Sequence, residues 1–315
     1  MKYMSVSEAA VAWGVKDHQV RKYCREGRIP GAINEDKTWK IPVKAAKPIR
    51  REPVEQPAEP LAPLAKVLVR QMKKKNFHGL YDYVQVNMAY SSGRLASVRL
   101  TRDCTWDIYE KGKVKVGFEP MKVSDLIETL NHCHAMKFLL KNINEPLSEK
   151  LIKEFHRRLT QGTVDERNER VNPGEYRSFH MKQEWHEKLS SAEISKRLQD
   201  LIERYEAFPE KERKQILDFH VRFEKLAPFD DFNGRVGRLI MFKECLRHGV
   251  MPFILDDKKR SVYLEGIREW EHDTSILSDV VMDCQIRFES QVELQRLREH
   301  GVLMEEARWE GYDDE

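Results

Sequence analysis

Between Trp39 and Val67 the chain places six prolines (Pro42, Pro48, Pro53, Pro57, Pro60 and Pro63) and no aromatic residue. Each proline fixes φ and removes a backbone donor, so this stretch reads as an extended, semi-rigid linker. The 315 residues then divide into a head at 1–42, a Pro-rich linker at 43–66, a body at 67–297 and an acidic tail at 298–315 that ends EGYDDE. Residues 1–51 carry 12 Lys/Arg against 5 Asp/Glu in a chain whose total is only +3, so the rest is mildly acidic. A small basic head on an acidic body points to a nucleic-acid-binding module joined to something else. The five cysteines form no CxxC pair, which argues against a disulfide framework and a structural zinc site. No run of 18 apolar residues occurs and MKYMSVSEAA lacks a signal-type apolar block, so the expectation is a cytoplasmic protein without a membrane partner.

In the head, Ser5 or Ser7 can cap a helix with apolar positions Ala9, Ala10 and Trp13. Gly14 supplies a turn, Asp17 can cap a second helix, and Val20 and Tyr23 face back onto the first. A hairpin with its turn at Asn34-Glu35-Asp36 and Trp39 and Ile41 on its second strand would follow. This order resembles the winged helix-turn-helix of excisionase and MerR-type domains. The resemblance implies DNA binding through Arg21, Lys22 and Arg25, with Lys16 and His18 on the same side and Arg28 and Lys37 on the wing. The alternative is a solvated basic face on a protein-interaction module. A module this small binds DNA weakly alone, so a homodimer or a second contact is implied.

The body reads as mostly α. A 3.6-residue period runs through 125–140, through 147–159 with Ser148 as N-cap and Gly162 just beyond, and through 192–205, 211–226, 234–248 and 276–297. Only 113–118 and 176–181 offer short hairpin strands. His132 and His134 flank Cys133, but positions i and i+2 on a helix point apart, which argues against a metal site there.

The most informative stretch is KLAPFDDFNGRVGRLIMF, residues 225–242. One helix ends near Leu226, and Asn233-Gly234-Arg235 opens another with Arg238 three residues on. Open amides at a helix start attract anions, two arginines at i and i+3 can both reach phosphates, and Asp231 just ahead can hold Mg²⁺. The bland alternative is a capped helix with two surface arginines.

These residues resemble the signature of Fic proteins, His-Pro-Phe-x-(Asp/Glu)-Gly-Asn-Gly-Arg-x-x-Arg. Ten of the twelve positions are compatible, with Pro228, Phe229, Asp231, Asn233, Gly234, Arg235 and Arg238 matching. ILDFHVRFEKL before it and LIMFKECLRHG after it are similar too, and so is NPGEYR, 172–177, which leads to a substrate-docking flap through Tyr176 and Arg177. The resemblance implies a Fic-type helical domain with a short flap hairpin. It also implies transfer of AMP from ATP to a hydroxyl on a target protein, with Asp231 on Mg²⁺ and Asn233, Gly234, Arg235 and Arg238 on the phosphates.

Three departures bear on that activity. The position of the signature His, a general base, is Ala227, and loss of a positioned base costs roughly 10²–10⁴-fold in rate. The signature Gly is Phe232, whose side chain would strain a positive-φ turn and fill space meant for phosphates. Many Fic proteins carry an inhibitory (Ser/Thr)-x-x-x-Glu-(Gly/Asn) helix whose Glu pairs with the second arginine; Ser92 fits its start, but the Glu position is Ala96. In the flap, SFHMKQEWH replaces a glycine-containing hairpin, and His180 is the candidate substitute base, with His186 and Asp230 behind it. The leading expectation is a Fic-fold pseudoenzyme or regulator retaining Mg-ATP. The alternatives are a transferase using His180 or the substrate itself as base, and a DNA-binding regulator whose body dimerises or senses a ligand.

Overall fold

The computed structural model of the chain describes residues 2–25, 29–35, 38–48, 61–74, 78–114, 121–177 and 188–299. It separates into two compact units, Met1–Ala58 and Glu59–Glu315.

The first unit runs β1 (Tyr3–Met4), α1 (Val6–Trp13), α2 (Asp17–Arg25), β2 (Ile33–Glu35) and β3 (Thr38–Pro42). Ser5 caps α1 in a reciprocal box with Glu8, and Gly14 ends it at a φ of 63°. Asp17 opens α2 from its first turn, where its carboxylate accepts from Ser7 Oγ at 2.7 Å, instead of acting as N-cap. Asn34 and Glu35, expected in the turn, belong to β2. The antiparallel order β1-β3-β2 brings Ile41 under the helices, where it is buried with Val6, Ala9, Ala10, Val20, Cys24 and Ile29. Lys16, His18, Arg21, Lys22 and Arg25 are exposed.

Among its described residues the regular elements of the second unit are all helices: α3 (Pro63–Lys74), α4 (Leu80–Leu95), α5 (Arg102–Lys111), α6 (Val123–Lys141), α7 (Glu149–Thr160), α8 (Val164–Arg167), α9 (Ser191–Glu206), α10 (Arg213–Leu226), α11 (Asn233–Arg247), α12 (Arg260–Glu269) and α13 (Ser275–Glu299), with a short 3₁₀ turn at Asp257–Lys259. Helix α3 starts at Pro63, inside the stretch expected as linker, because proline suits the first helical position, where its missing N–H has no partner to lose. Helix α13 likewise runs to Glu299, two residues into the stretch expected as tail. The strand expected at 113–118 lies mostly outside the described residues, and Tyr176 and Arg177 are not in a strand. Among the described residues no helix is long and apolar enough to cross a membrane.

Helix α11 is the axis of this unit. Val236, Leu239, Ile240, Met241, Phe242, Cys245 and Leu246 are buried around its whole circumference, as expected of a helix apolar on every side. It packs against α10, α7, α6, α4 and α3. Gly237 permits the tight approach of α10, since a Cβ there would stand 3.0 Å from His220 Nδ1 and 3.2 Å from Phe223 Cδ1. The six-residue loop 227–232 between α10 and α11 thus delivers one end of a fully sheathed helix, and that end carries the signature.

Candidate functional site: the start of helix α11

The loop opens and closes in the left-handed region. Ala227 ends α10 at φ 43° and is 1 % exposed, and Phe232 precedes α11 at φ 63°. A side chain in that region costs about 1–2 kcal/mol, so the glycine of the family pattern fits this backbone better than phenylalanine does. The Phe232 ring is buried, edge-on to His156 with centroids 6.4 Å apart.

Much of the loop is braced from within. Asn233, expected on phosphate, uses its amide on the backbone of Phe229: Oδ1 accepts from the N–H at 2.9 Å and Nδ2 donates to the carbonyl at 2.8 Å. Asp231 is exposed and its Oδ1 accepts from the Phe232 N–H at 2.5 Å. Arg177, expected in the flap, donates from Nε to the Ala227 carbonyl and from its backbone N–H to the Pro228 carbonyl, both at 2.9 Å. Tyr176 lies against Phe229, with Lys153 Nζ 4.0 Å over its ring. Residues 176 and 177 are therefore anchored to the loop 227–232. His180 and His186 lie outside the described residues.

His156 on α7 completes the brace. Its ring stacks on Phe229 with centroids 3.9 Å apart and planes within 2°, and Nδ1 accepts from the Gly174 N–H at 2.9 Å. Burial pushes its pKa down to about 3, with the Asp231 backbone pulling the other way, so the ring is neutral. Sequence reasoning passed over this residue. The signal was its place on the core face of α7, one turn from Ile152 and from Thr160.

The two arginines are both engaged inside the chain. Arg235 pairs through NH1 with Glu128 Oε2 on α6, and its Cζ lies 3.6 Å over the Phe232 ring. Arg238 donates to Ser92 Oγ at 3.0 Å and to the Ser92 carbonyl at 3.1 Å. Ser92, singled out by its place in the inhibitory pattern, does meet the second arginine. Ala96 sits exposed at the C-terminus of α4.

Two buried clusters stand behind the arginines, both missed by the sequence reading because single titratable residues on separate helices leave no local pattern. Glu224 Oε1 lies 3.5 Å from Tyr263 Oη, which contacts His220 Nε2 at 2.6 Å. Burial raises the Glu224 carboxyl, opposed by Arg238 and by the hydrogen bond from Tyr263. On α6, His132 is 2 % exposed and neither ring nitrogen has a hydrogen-bond partner among the described residues. Burial, then Arg238 and Arg235, hold its pKa at about 3. His134 is exposed, as the i, i+2 spacing required.

The cavity against Arg238, bounded by Ser91, Ser92, Leu95, Met241 and Phe253, measures about 10 Å³, room for one water and not for a nucleotide. A cleft of about 330 Å³ lies instead at Arg213, Lys214 and Trp270, the opposite end of α10. No three His, Cys, Asp or Glu side chains converge on a metal position among the described residues. With Asn233 spent on the loop, Arg235 on Glu128 and Arg238 on Ser92, this arrangement does not fit a Mg-polyphosphate.

Residues 146–245 match the Fic/DOC family. Among solved structures, the chain is similar to a Fic domain containing signaling protein from Bacteroides thetaiotaomicron VPI-5482, with a TM-score of 0.60 at 19% identity over 80% of this chain and 96% of that one. It is similar to Fic-1 from C. elegans, with a TM-score of 0.59 at 18% identity over 74% and 67%. A Fic family protein from Desulfovibrio desulfuricans G20 gives 0.53 at 18% over 76% and 78%. No curated protein matches the chain. Identities this low speak to fold alone. The chain thus carries a Fic/DOC family domain at residues 146–245, set in a helical body of Fic-type fold.

Proposed function

We propose that this Fic-type body is silent in AMP transfer and works through what it binds. The observation that carries the reading is the methyl group of Ala227, buried where the family places its base, with its own carbonyl already taken by Arg177. A general base must reach the attacking hydroxyl directly or through one water. Beyond the loop's own Asp230 and Asp231, the nearest ionisable groups are unsuited: His156 is buried and stacked, His132 is enclosed, and the Glu224 carboxylate of α10 is packed against Gly234. Asp231, the exposed acid, accepts from the Phe232 N–H beside two engaged arginines, so this reading assigns it no Mg²⁺ step; Arg235 and Arg238 are its phosphate-binding groups only when released from Glu128 and Ser92.

The test is incubation of the chain with Mg²⁺ and ATP labelled at the α-phosphate, beside Ala227→His, with label on protein as the readout. A φ of 43° is compatible with histidine, one of the residues that enters the left-handed region most readily. Absence of label on the parent is expected. Label on the parent would overturn the reading and make His180→Ala the next variant.

A second reading rests on the head. Arg21, Lys22 and Arg25 are exposed along α2, with Lys16 and His18 beside them, a basic row suited to DNA phosphates. On this reading the body dimerises or senses a ligand for a DNA-binding regulator. The double variant Arg21→Ala, Arg25→Ala should lose affinity for duplex DNA and flatten its salt dependence. A parent that retains no duplex at 50 mM salt would remove it.

A further inference from the structure

Arg235 is held from two directions by residues outside the matched signature positions. Its NH1 pairs with Glu128, 107 residues earlier in the chain, and its guanidinium lies on the ring of Phe232. The side chains of the pair are only 7% and 12% exposed. We infer that Glu128 and Phe232 form an internal clamp on Arg235, with the Glu128 carboxylate in the place of a ligand phosphate. The inference rests on the reading of Arg235 as a phosphate-binding group.

Three observations support it. A guanidinium stacked face-on leaves its N–H edge for a planar anion, and carboxylate and phosphate compete for that same edge. Phe232 takes the face at a left-handed position that suits glycine, so its cost is matched by a contact glycine could not make. Next, α6 turns Glu128 and His132, one helical turn apart, toward α11, and His132 is held neutral there. Asp125, one turn earlier on α6, takes the backbone N–H of Arg99, and Glu128 is the carboxylate of α6 that pairs with an arginine of α11. Finally, the inhibitory Glu of the family pattern is replaced by exposed Ala96, and the hydrogen bonds of Arg238 go to the neutral hydroxyl and carbonyl of Ser92. Among the described residues, the salt bridge made by the arginine pair sits on Arg235. The salt bridge of the pair thus lies on the first arginine and comes from α6, while Arg238 faces the Glu224 carboxylate of α10 without closing one.

The experiment is calorimetric titration of the full chain with Mg-ATP, and with inorganic pyrophosphate as the phosphate-only probe. Glu128→Gln keeps the shape and removes the charge; Phe232→Leu keeps the apolar volume and removes the aromatic face. Both are checked for native circular dichroism. At least tenfold tighter binding by Glu128→Gln than by the parent is expected, with a smaller gain for Phe232→Leu, and both gains should vanish when Arg235→Ala is added. If Glu128→Gln does not fold, Phe232→Leu decides alone. A folded Glu128→Gln that binds no tighter than the parent overturns the clamp, including the case in which no variant binds. A gain that survives Arg235→Ala also overturns it, and locates the failure in the phosphate-binding reading. Binding by the parent that is lost in Arg235→Ala yet unimproved in Glu128→Gln overturns the clamp and leaves that reading standing.

Discussion

The two ends of α11 bury charge with different numbers of partners. At the C-terminal end Lys243 and Glu244 are at most 1 % exposed, yet they are densely partnered: Lys243 Nζ reaches the Glu145 carbonyl at 2.6 Å and Glu244 at 2.7 Å, and Glu244 also takes Tyr205 Oη at 3.0 Å and Arg247 at 3.4 Å. Arg247 and His248 lie where the helix dipole favours cations. At the N-terminal end Arg235 pairs with Glu128 and Arg238 meets the neutral oxygens of Ser92, neither ring nitrogen of His132 has a hydrogen-bond partner among the described residues, and Phe232 stands in left-handed backbone. A buried network that only holds a fold saturates its charges. On the proposed reading, the sparser network beside the helix start is a binding place filled from inside.

The comparison can be broken by substitution. The largest effect is expected at the C-terminal end, where Glu244→Ala strands Lys243 as an uncompensated buried charge and should cost about 3–5 kcal/mol in urea unfolding. In the loop, Phe229→Ala should cost about 3–5 kcal/mol, since it loses the stack on His156. Phe232→Gly also removes a buried ring but recovers about 1–2 kcal/mol of backbone strain, so its loss should be visibly smaller than that of Phe229→Ala. Equal losses would mean that the φ of 63° carries no strain.

Acid should separate the two ends. His132, His156 and His220 are each held at about 3, chiefly by burial, against 6.5 in an unfolded chain. A depressed histidine contributes stability that is whole above pH 6.5 and is lost as pH falls toward the folded value. Glu244 is held at about 2 by His248, Lys243 and Arg247 against the cost of burial, so its share begins to fade only below about 4.5. Urea midpoints should therefore fall between pH 6.5 and 4.5 through the histidines near the signature end, and His132→Gln should flatten that slope. An unchanged slope would remove His132 from the account. The smallest effect is expected for Ser92→Ala, which deletes one of two acceptors for Arg238 and should cost about 1 kcal/mol.

Regular amphipathic helices and the signature loop were legible in the sequence; contacts made across it were not. Helices α6, α7, α9, α10, α11 and α13 fall within two residues of their expected bounds at every end. Helix α4 was missed because it is buried on nearly all faces, with Asp82, Gln85 and Ser92 inside along with Val84 and Met88, so no apolar stripe stands out. Helix α3 was hidden by proline, and α5 and α12 by their length of ten residues. At the site, the positions of Ala227, Phe232, Arg235 and Arg238 followed from a local pattern. Glu128 and His156 did not, because what matters about them is a partner 107 residues away in one case and 18 in the other.

The ring of Phe232 also has a bearing on descent. Placing histidine at 227 alone supplies a base to a site still closed, and placing glycine at 232 alone empties a packed space and weakens the fold. On the proposed reading each single step toward the family pattern leaves the site incomplete, and the one at 232 carries a structural penalty. A side chain packed at a glycine position between His156 and Arg235 acts as a ratchet: the fold itself resists its removal.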